Sequence, residues 1–292
     1  MTPSSSGGSR DRPKARVGIS GWRYPPWRGV FYPPGLRQAD ELHYAASLLG
    51  SIEINGSFYS LQRPSSYQAW SEHTGDGFVF AVKASRFVTH MKKLRDVAAP
   101  LANFFASGLL ALGPKLGPLL WQLPPTLPYD EARLRSFFEL LPRTTGAAGR
   151  LAEQHDARLE GRSWTTTDAD RPLRHALEVR HPSYAVEVDA LAALAAELDF
   201  ALVVADTAGR WPLLDRVTSD FVYVRLHGDA QLYAGGYSGP ALDRWSARVQ
   251  GWLTGASCPD GVGRDVYVYF DNDTKVRAPF DALALQERLE RG

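Results

Sequence analysis

Six groups that could do chemistry each end a short run of β-branched, aromatic or aliphatic residues: Glu53 in SIE, Lys83 in FVFAVK, Glu178 in HALE, Asp206 in ALVVAD, and Arg225 and His227 in FVYVRLH. Carboxylates held in unlike surroundings can divide the work of general acid and general base. Glu53, Glu178 and Asp206 are therefore the candidates for acid-base or hydrolytic chemistry, with His227 as a further proton carrier. Glu178, Asp206 and His227, with Glu53 as a fourth ligand, also make a mixed carboxylate and imidazole set of the kind that holds a divalent metal. No HxH or HExxH spacing accompanies them, and Lys83 and Arg225 bring positive charge to the same place. A divalent metal is thus not favoured, no metal ligand is assigned, and the cofactor is left open.

Other chemistries use the same residues. Glu53 and Glu178 could form the widely spaced pair of an inverting glycosidase, but Gln122 stands where many such barrels keep an acid. Lys83 could form a Schiff base if neighbouring cations depress its ammonium pKa. The more ordinary reading makes it a carboxylate partner or a phosphate contact. The bland alternative for the whole set is a buried ion-pair layer in which Glu53, Lys83, Glu178 and Arg225 neutralise one another.

The elements that must position these groups alternate along the chain. Apolar runs at 17–20, 51–54, 78–83, 119–123, 175–179, 201–205, 221–226 and 266–270 read as eight strands, most of them apolar throughout, as strands covered on both faces are. Helical spacing of apolar residues appears at 39–49, 65–73, 94–106, 131–140, 189–198, 241–253 and 280–289. This alternation of strand and helix predicts an α/β fold, a single (β/α)8 TIM-like barrel over 16–292 behind a disordered N-terminal tail at 1–15. Residues 206–220 show no obvious helix, and 143–174 is a polar excursion without a core of its own, with room for a helix near 147–157. It reads as an elaborated connection on the N-terminal face.

In such barrels the strand C-termini and the loops after them face the active site. The loops add binding candidates: Trp22 after the first strand, Asn55 and Tyr59 after the second, His90 after the third, Arg180 and His181 after the fifth, Tyr237 after the seventh and Asn272 after the eighth. Lys83 and Arg225 join them as anion contacts. The aromatic crowd of Trp22, Tyr24, Trp27, Phe31 and Tyr32 could stack a base or sugar beside arginine forks, or simply seal the barrel mouth. Gly228, Gly235, Gly236 and Gly239 could cradle an anion, although no P-loop or GxGxxG fingerprint is present.

Composition narrows the classes. Hydrophobic residues are 44% and charged residues 22%, with net charge +1, so a nucleic acid would have to be met by a local patch rather than a basic face. Arginine outnumbers lysine 27 to 6, most simply the mark of a GC-rich genome. Cys258 is the only cysteine, which excludes an internal disulfide and fits a reducing compartment. No apolar stretch suits a signal peptide or a membrane span, and a cytoplasmic location without membrane partners is expected.

The motifs ISGWRYPPWRGVFYP, SIEINGSFY, FVFAVKASRFVTH, LLWQLPP, ALEVRHPSY, FVYVRLHG with GYSG, and VYVYFDND closely resemble, in order, those of the YecE-like family of bacteria and archaea. Gly56 stands where that family's second motif usually has Ser. The resemblance implies a TIM-barrel-like fold and brings no activity with it. The residues themselves suggest an enzyme, of the hydrolase kind, acting on a small polar substrate that could carry phosphate, such as a nucleotide or a nucleic-acid end. The alternatives are a non-catalytic barrel that binds nucleic acid or protein through its aromatic-arginine rim, and a metal-assisted sugar isomerase or glycosidase. The oligomeric state is left open.

Overall fold

The computed structural model describes residues 12–229, 235–271 and 276–291. Nine parallel strands form one nearly closed barrel: β1 (Ala15–Ser20), β2 (Ser51–Ile54), β3 (Val79–Lys83), β4 (Leu116–Gln122), β5 (His175–Glu178), β6 (Ala201–Leu202), β7 (Val204–Asp206), β8 (Phe221–Leu226) and β9 (Asp265–Phe270). The eight expected strands are all present, but the sixth is broken at Val203. Its first half, β6, pairs with β5, and its second half, β7, pairs with β8. The sheet order β6-β5-β4-β3-β2-β1-β9-β8-β7 therefore starts and ends on one continuous segment, which is how the barrel closes. β1 starts one residue before the expected barrel boundary: Ala15 pairs with Val266, and Lys14 N–H donates to the Asp265 carboxylate at 2.9 Å. The tail residues 1–11 lie outside the described residues.

The surrounding helices are α1 (Glu41–Leu48), α2 (Gly56–Tyr59), α3 (Pro64–Glu72), α4 (Ala98–Ala106), α5 (Glu131–Glu139), α6 (Thr145–Ala152), α7 (Ser183–Val186), α8 (Val188–Glu197), α9 (Gly239–Thr254) and α10 (Ala278–Arg291). Caps match the sequence signals: Asp130 and Ser238 side chains accept from the backbone N–H groups of Arg133 and Ala241. α6 falls in the 143–174 connection, which packs along α4 through reciprocal Asn103–Asp156 hydrogen bonds and Trp164 N–H donating to Ala106 O. Residues 207–220 contain no helix. No helix among the described residues is long and apolar enough to cross a membrane.

Strand period decides what enters the barrel, because successive side chains point to opposite faces. One parity packs outward against the helices, as Phe80, Val82, Leu119, Trp121, Val222 and Val224 do. The other fills the interior with Val79, Ala81, Leu120, Ala176, Ala205, Phe221, Tyr223, Tyr267 and Tyr269. Continuing the inner parity toward the strand C-termini gives Ser20, Glu53, Lys83, Gln122, Glu178 and Arg225: the apolar filling ends and a polar layer begins. Gly18 lets β1 approach β2, since a Cβ there would lie 1.9 Å from the Ser51 carbonyl oxygen.

Candidate active site at the barrel mouth

Arg225 is the hub of the polar layer and is fully buried. Its Nε and one terminal nitrogen grip both oxygens of Glu53 at 3.0 and 2.9 Å, the geometry of a bidentate guanidinium–carboxylate fork. The same nitrogen reaches Asp271 at 2.9 Å, and the other terminal nitrogen reaches Glu178 at 2.7 Å. Glu53 also accepts from Tyr223 Oη at 2.6 Å and from the Ser20 hydroxyl, while Glu178 accepts from Gln122 Nε2 and Arg180 Nε, both at 2.9 Å. Burial alone would raise the Glu178 carboxyl, but the charges of Arg180 and Arg225 hold it well below the usual carboxylate range. Asp271 is held down in the same way, against its burial, by Arg225 and by His227, whose Nδ1 lies 3.2 Å from its Oδ2. This is an ionic network in which Arg225 pairs with all three carboxylates, and Glu178 and Asp271 are kept ionised.

Outside this layer lies an open cavity of about 690 Å³ lined by Tyr24, Asn55, Phe58, Tyr59, Lys83, Arg86, His90, Met91, Gln122, Arg180 and Asp271. Its charge is lopsided. Glu53 and Glu178 do not line it, and its one carboxylate, Asp271, is already bound to Arg225. Lys83, Arg86 and Arg180 all do. Lys83 is only 6% exposed, and among the described residues its ammonium makes no ion pair; it lies over the Phe58 ring, 4.3 Å from the centroid. Burial, then the charge of Arg225, lowers its pKa to about 8. Arg86 is exposed, with its guanidinium 5.8 Å from the Tyr59 ring and no ion pair among the described residues. Arg180 stacks on Trp211 at 3.9 Å while holding Glu178.

His90 sits in a wide π-type turn, Phe87–Met91, a backbone form that recurs at functional sites. Burial, followed by the charges of Lys83 and Arg180, lowers its pKa to about 4, so its ring is neutral at pH 7. Asn55 Nδ2 donates to Ser20 Oγ at 2.9 Å, while its carbonyl oxygen is buried and has no hydrogen bond among the described residues.

The network and rim together take in Glu53, Glu178, Arg225, His227, Asn55, Tyr59, Lys83, His90 and Arg180. Other sequence candidates lie elsewhere. Asp206 accepts from Tyr237 Oη at 3.2 Å, and Tyr237 Oη in turn accepts from Gly228 N–H, a separate contact beside β7. His181 Nδ1 accepts from Ser183 N–H at 3.1 Å and orients the start of α7. Trp22 is buried edge-on against Trp70 of α3, and Trp27, Phe31 and Tyr32 pack on one another and on Tyr44 of α1, so most of the first loop's aromatic crowd belongs to the core rather than to a stacking surface. Asn272 lies outside the described residues, as does the loop at 230–234. Glu53 and Glu178 meet opposite sides of one guanidinium, which fills the space a glycosidase gives to water and sugar. Among the described residues, no group of three or more His, Cys, Asp or Glu is placed to hold a metal. Arg86, not among the sequence candidates, lies between Lys83 at the end of β3 and His90 in the turn that follows. Ser20 and Tyr223, which hold Glu53, carry no sequence signal that separates them from other strand residues.

Comparisons with known proteins bear on fold and family. The model of the family "Protein of unknown function DUF72" matches residues 16–292. The chain belongs to the DUF72 family. It is 28% identical over 127 residues to the UPF0759 protein YecE of Escherichia coli K12, a match covering 43% of this chain and 44% of that protein. A crystal structure of a DUF72 family protein from Thermotoga maritima MSB8 superposes with TM-score 0.72 at 22% identity, covering 95% of this chain and 99% of that one. One from Enterococcus faecalis V583 gives TM-score 0.71 at 17% identity over 94% and 95% of the two chains. At those identities the likeness carries the fold alone. The glycine in place of the second motif's usual Ser is sterically mild: a Cβ at Gly56 would meet nothing closer than Gln62 Nε2 at 3.5 Å.

Proposed function

We propose that the barrel mouth is the reaction site for a small polar substrate carrying a phosphate or a comparable anion. The observation that carries this is the division of charge: the buried carboxylates are consumed by Arg225 and Arg180, and the cavity beyond them presents Lys83, Arg86 and Arg180. Lys83 and Arg86 would meet the anion directly, and Arg180, stiffened by Trp211, would direct its remaining N–H groups toward it. Asn55 and Tyr24 would orient the polar body of the substrate.

In this reading acid-base work passes from Glu53 and Glu178 to the rim. Glu178 is too strongly held in its ionised form to deliver a proton, and Glu53 is wrapped by Arg225, Tyr223 and Ser20. The two carboxylates act as positioning residues that fix Arg225. Lys83 is the group whose pKa, about 8, lies near neutral pH, and the neutral imidazole of His90 beside it can accept or donate a hydrogen bond.

Incubation with paired phosphorylated and dephosphorylated sugars and nucleosides, followed by mass spectrometry, tests the proposal. Turnover confined to phosphorylated members and lost in Arg86→Ala supports it; equal turnover of both members of a pair contradicts it. A second reading, nucleic-acid binding without turnover, draws on the exposed Tyr59 and Met91 beside Arg86. Binding of single-stranded oligonucleotides that weakens steeply with salt, with no chemical change, would favour it.

A further inference from the structure

We infer that Lys83 is a nucleophilic amine that forms a covalent imine with an anionic substrate bearing an aldehyde or ketone, an inference that rests on the anion-binding reading of the same cavity. The argument starts from what Lys83 lacks. A lysine ending an inward-facing strand normally pairs with a carboxylate, and three carboxylates stand in the layer beside it. Arg225 holds Glu53, Glu178 and Asp271, and Arg180 takes a further share of Glu178, so none is within ion-pair distance of Lys83.

The surroundings of the amine favour its neutral form. Burial strips water from it and Arg225 adds like charge from beneath, while Asp271, Glu53 and Glu178, and the face of the Phe58 ring 4.3 Å away, pull the other way without outweighing them. With its pKa lowered to about 8, roughly a tenth of the Lys83 amine is neutral at pH 7, against well under a thousandth for an ordinary lysine. A nearby cation and a desolvating wall are the two means by which lysines become imine-forming nucleophiles. Lys115 shows the opposite treatment: its ammonium donates to the Ser71 and Thr74 carbonyl oxygens at 2.6 and 2.7 Å, a structural use.

The step balances with groups at hand. The Lys83 nitrogen lone pair adds to the carbonyl carbon as the C=O π bond breaks, and one nitrogen proton passes to the oxygen to give a neutral carbinolamine. The second nitrogen proton passes to the hydroxyl, which leaves as water as the nitrogen lone pair forms the C=N bond, so that amine plus carbonyl gives imine plus one water. His90, whose ring lies 5.1 Å from the same Phe58 ring, is neutral and suited to carry protons between nitrogen and oxygen. Gln122 and Asn55 line the cavity where the carbinolamine oxygen would sit.

The test uses pyridoxal 5′-phosphate as a phosphorylated aldehyde and pyridoxal as its uncharged counterpart. Each is incubated with the full chain, reduced with borohydride, which delivers hydride to C=N, and mapped by peptide mass spectrometry. With only six lysines in the chain, every site can be followed. The expected result is an adduct at Lys83 formed at least tenfold faster than at Lys92, Lys93 or Lys115, with a rate that climbs as pH passes 8. Lys83→Arg should lose the adduct while keeping the wild-type circular dichroism. Uniform labelling of the surface lysines, with Lys83 no faster, overturns the imine and leaves the anion reading standing if phosphate still binds. Labelling of Lys83 that pyridoxal matches, and that phosphate does not slow, keeps the amine's reactivity and overturns the anion reading instead.

Discussion

Two sets of cationic side chains lie a few ångströms apart at the barrel mouth and are treated in opposite ways. Arg225 is fully buried and has a partner for every nitrogen, three of those partners being carboxylates. Lys83, which ends its strand in the same layer but faces the cavity, and the exposed Arg86 have aromatic rings beside them and, among the described residues, no carboxylate within ion-pair distance. A buried charge is tolerable when it is paired, and costly when its partner is removed. The inner layer therefore reads as architecture, tying β2, β5, β8 and the end of β9 together through one guanidinium. The rim, which gives up that stabilisation, reads as the surface kept for a ligand.

The largest expected effect breaks the inner layer. Arg225→Ala leaves Glu53, Glu178 and Asp271 buried without their counter-charge and should cost about 3–5 kcal/mol, measured by urea denaturation. Lys83→Met removes an equally central cation yet severs no ion pair, so its stability should stay within about 1 kcal/mol of wild type. Equal losses in the two variants would erase the distinction.

Acid sharpens the same contrast. Glu178 and Asp271 have folded pKa values below their unfolded ones, so the stability they contribute is present in full above the ordinary carboxylate range and is lost as pH falls below it toward the depressed values. Denaturation midpoints should therefore fall steeply below about pH 4, the unfolded carboxylate value. Glu178→Gln should flatten that fall, whereas Arg86→Ala should leave it unchanged. The smallest effect concerns Trp211: replacing it with Ala removes the stack under Arg180 and should weaken phosphate binding about two- to fivefold, in line with roughly 0.5–1 kcal/mol for an exposed cation–π contact. No change in phosphate affinity would mean that Arg180 serves only Glu178.

Much of the frame was legible because strand parity is a local property. In VFAVK, FVYVRL and SIE, reading every second residue leads from apolar filling straight to Lys83, Arg225 and Glu53. What parity cannot express is partnership across the barrel, which depends on strand order and on the reach of one long side chain. Four residues were legible as a neutralising set, but Lys83 is excluded from it because Arg225, helped at Glu178 by Arg180, takes the carboxylates. The break at Val203 was hidden for a similar reason: 201–205 is apolar throughout, and only the need to pair β5 on one side and β8 on the other splits it. Asp206 ends its strand like the others, yet Tyr237 holds it apart from the cluster. The first loop's aromatics carry no periodic signal that separates a stacking platform from core packing, and their burial against one another and the helices removes most of them from the rim.

The most direct measurement is a calorimetric titration of the full chain with inorganic phosphate at low salt, beside Lys83→Met and Arg86→Ala. One saturable site per chain, weakened tenfold or more by each substitution while the fold is kept, is the predicted result. Absence of binding, or binding that neither substitution changes, would contradict the assignment of the rim as an anion site.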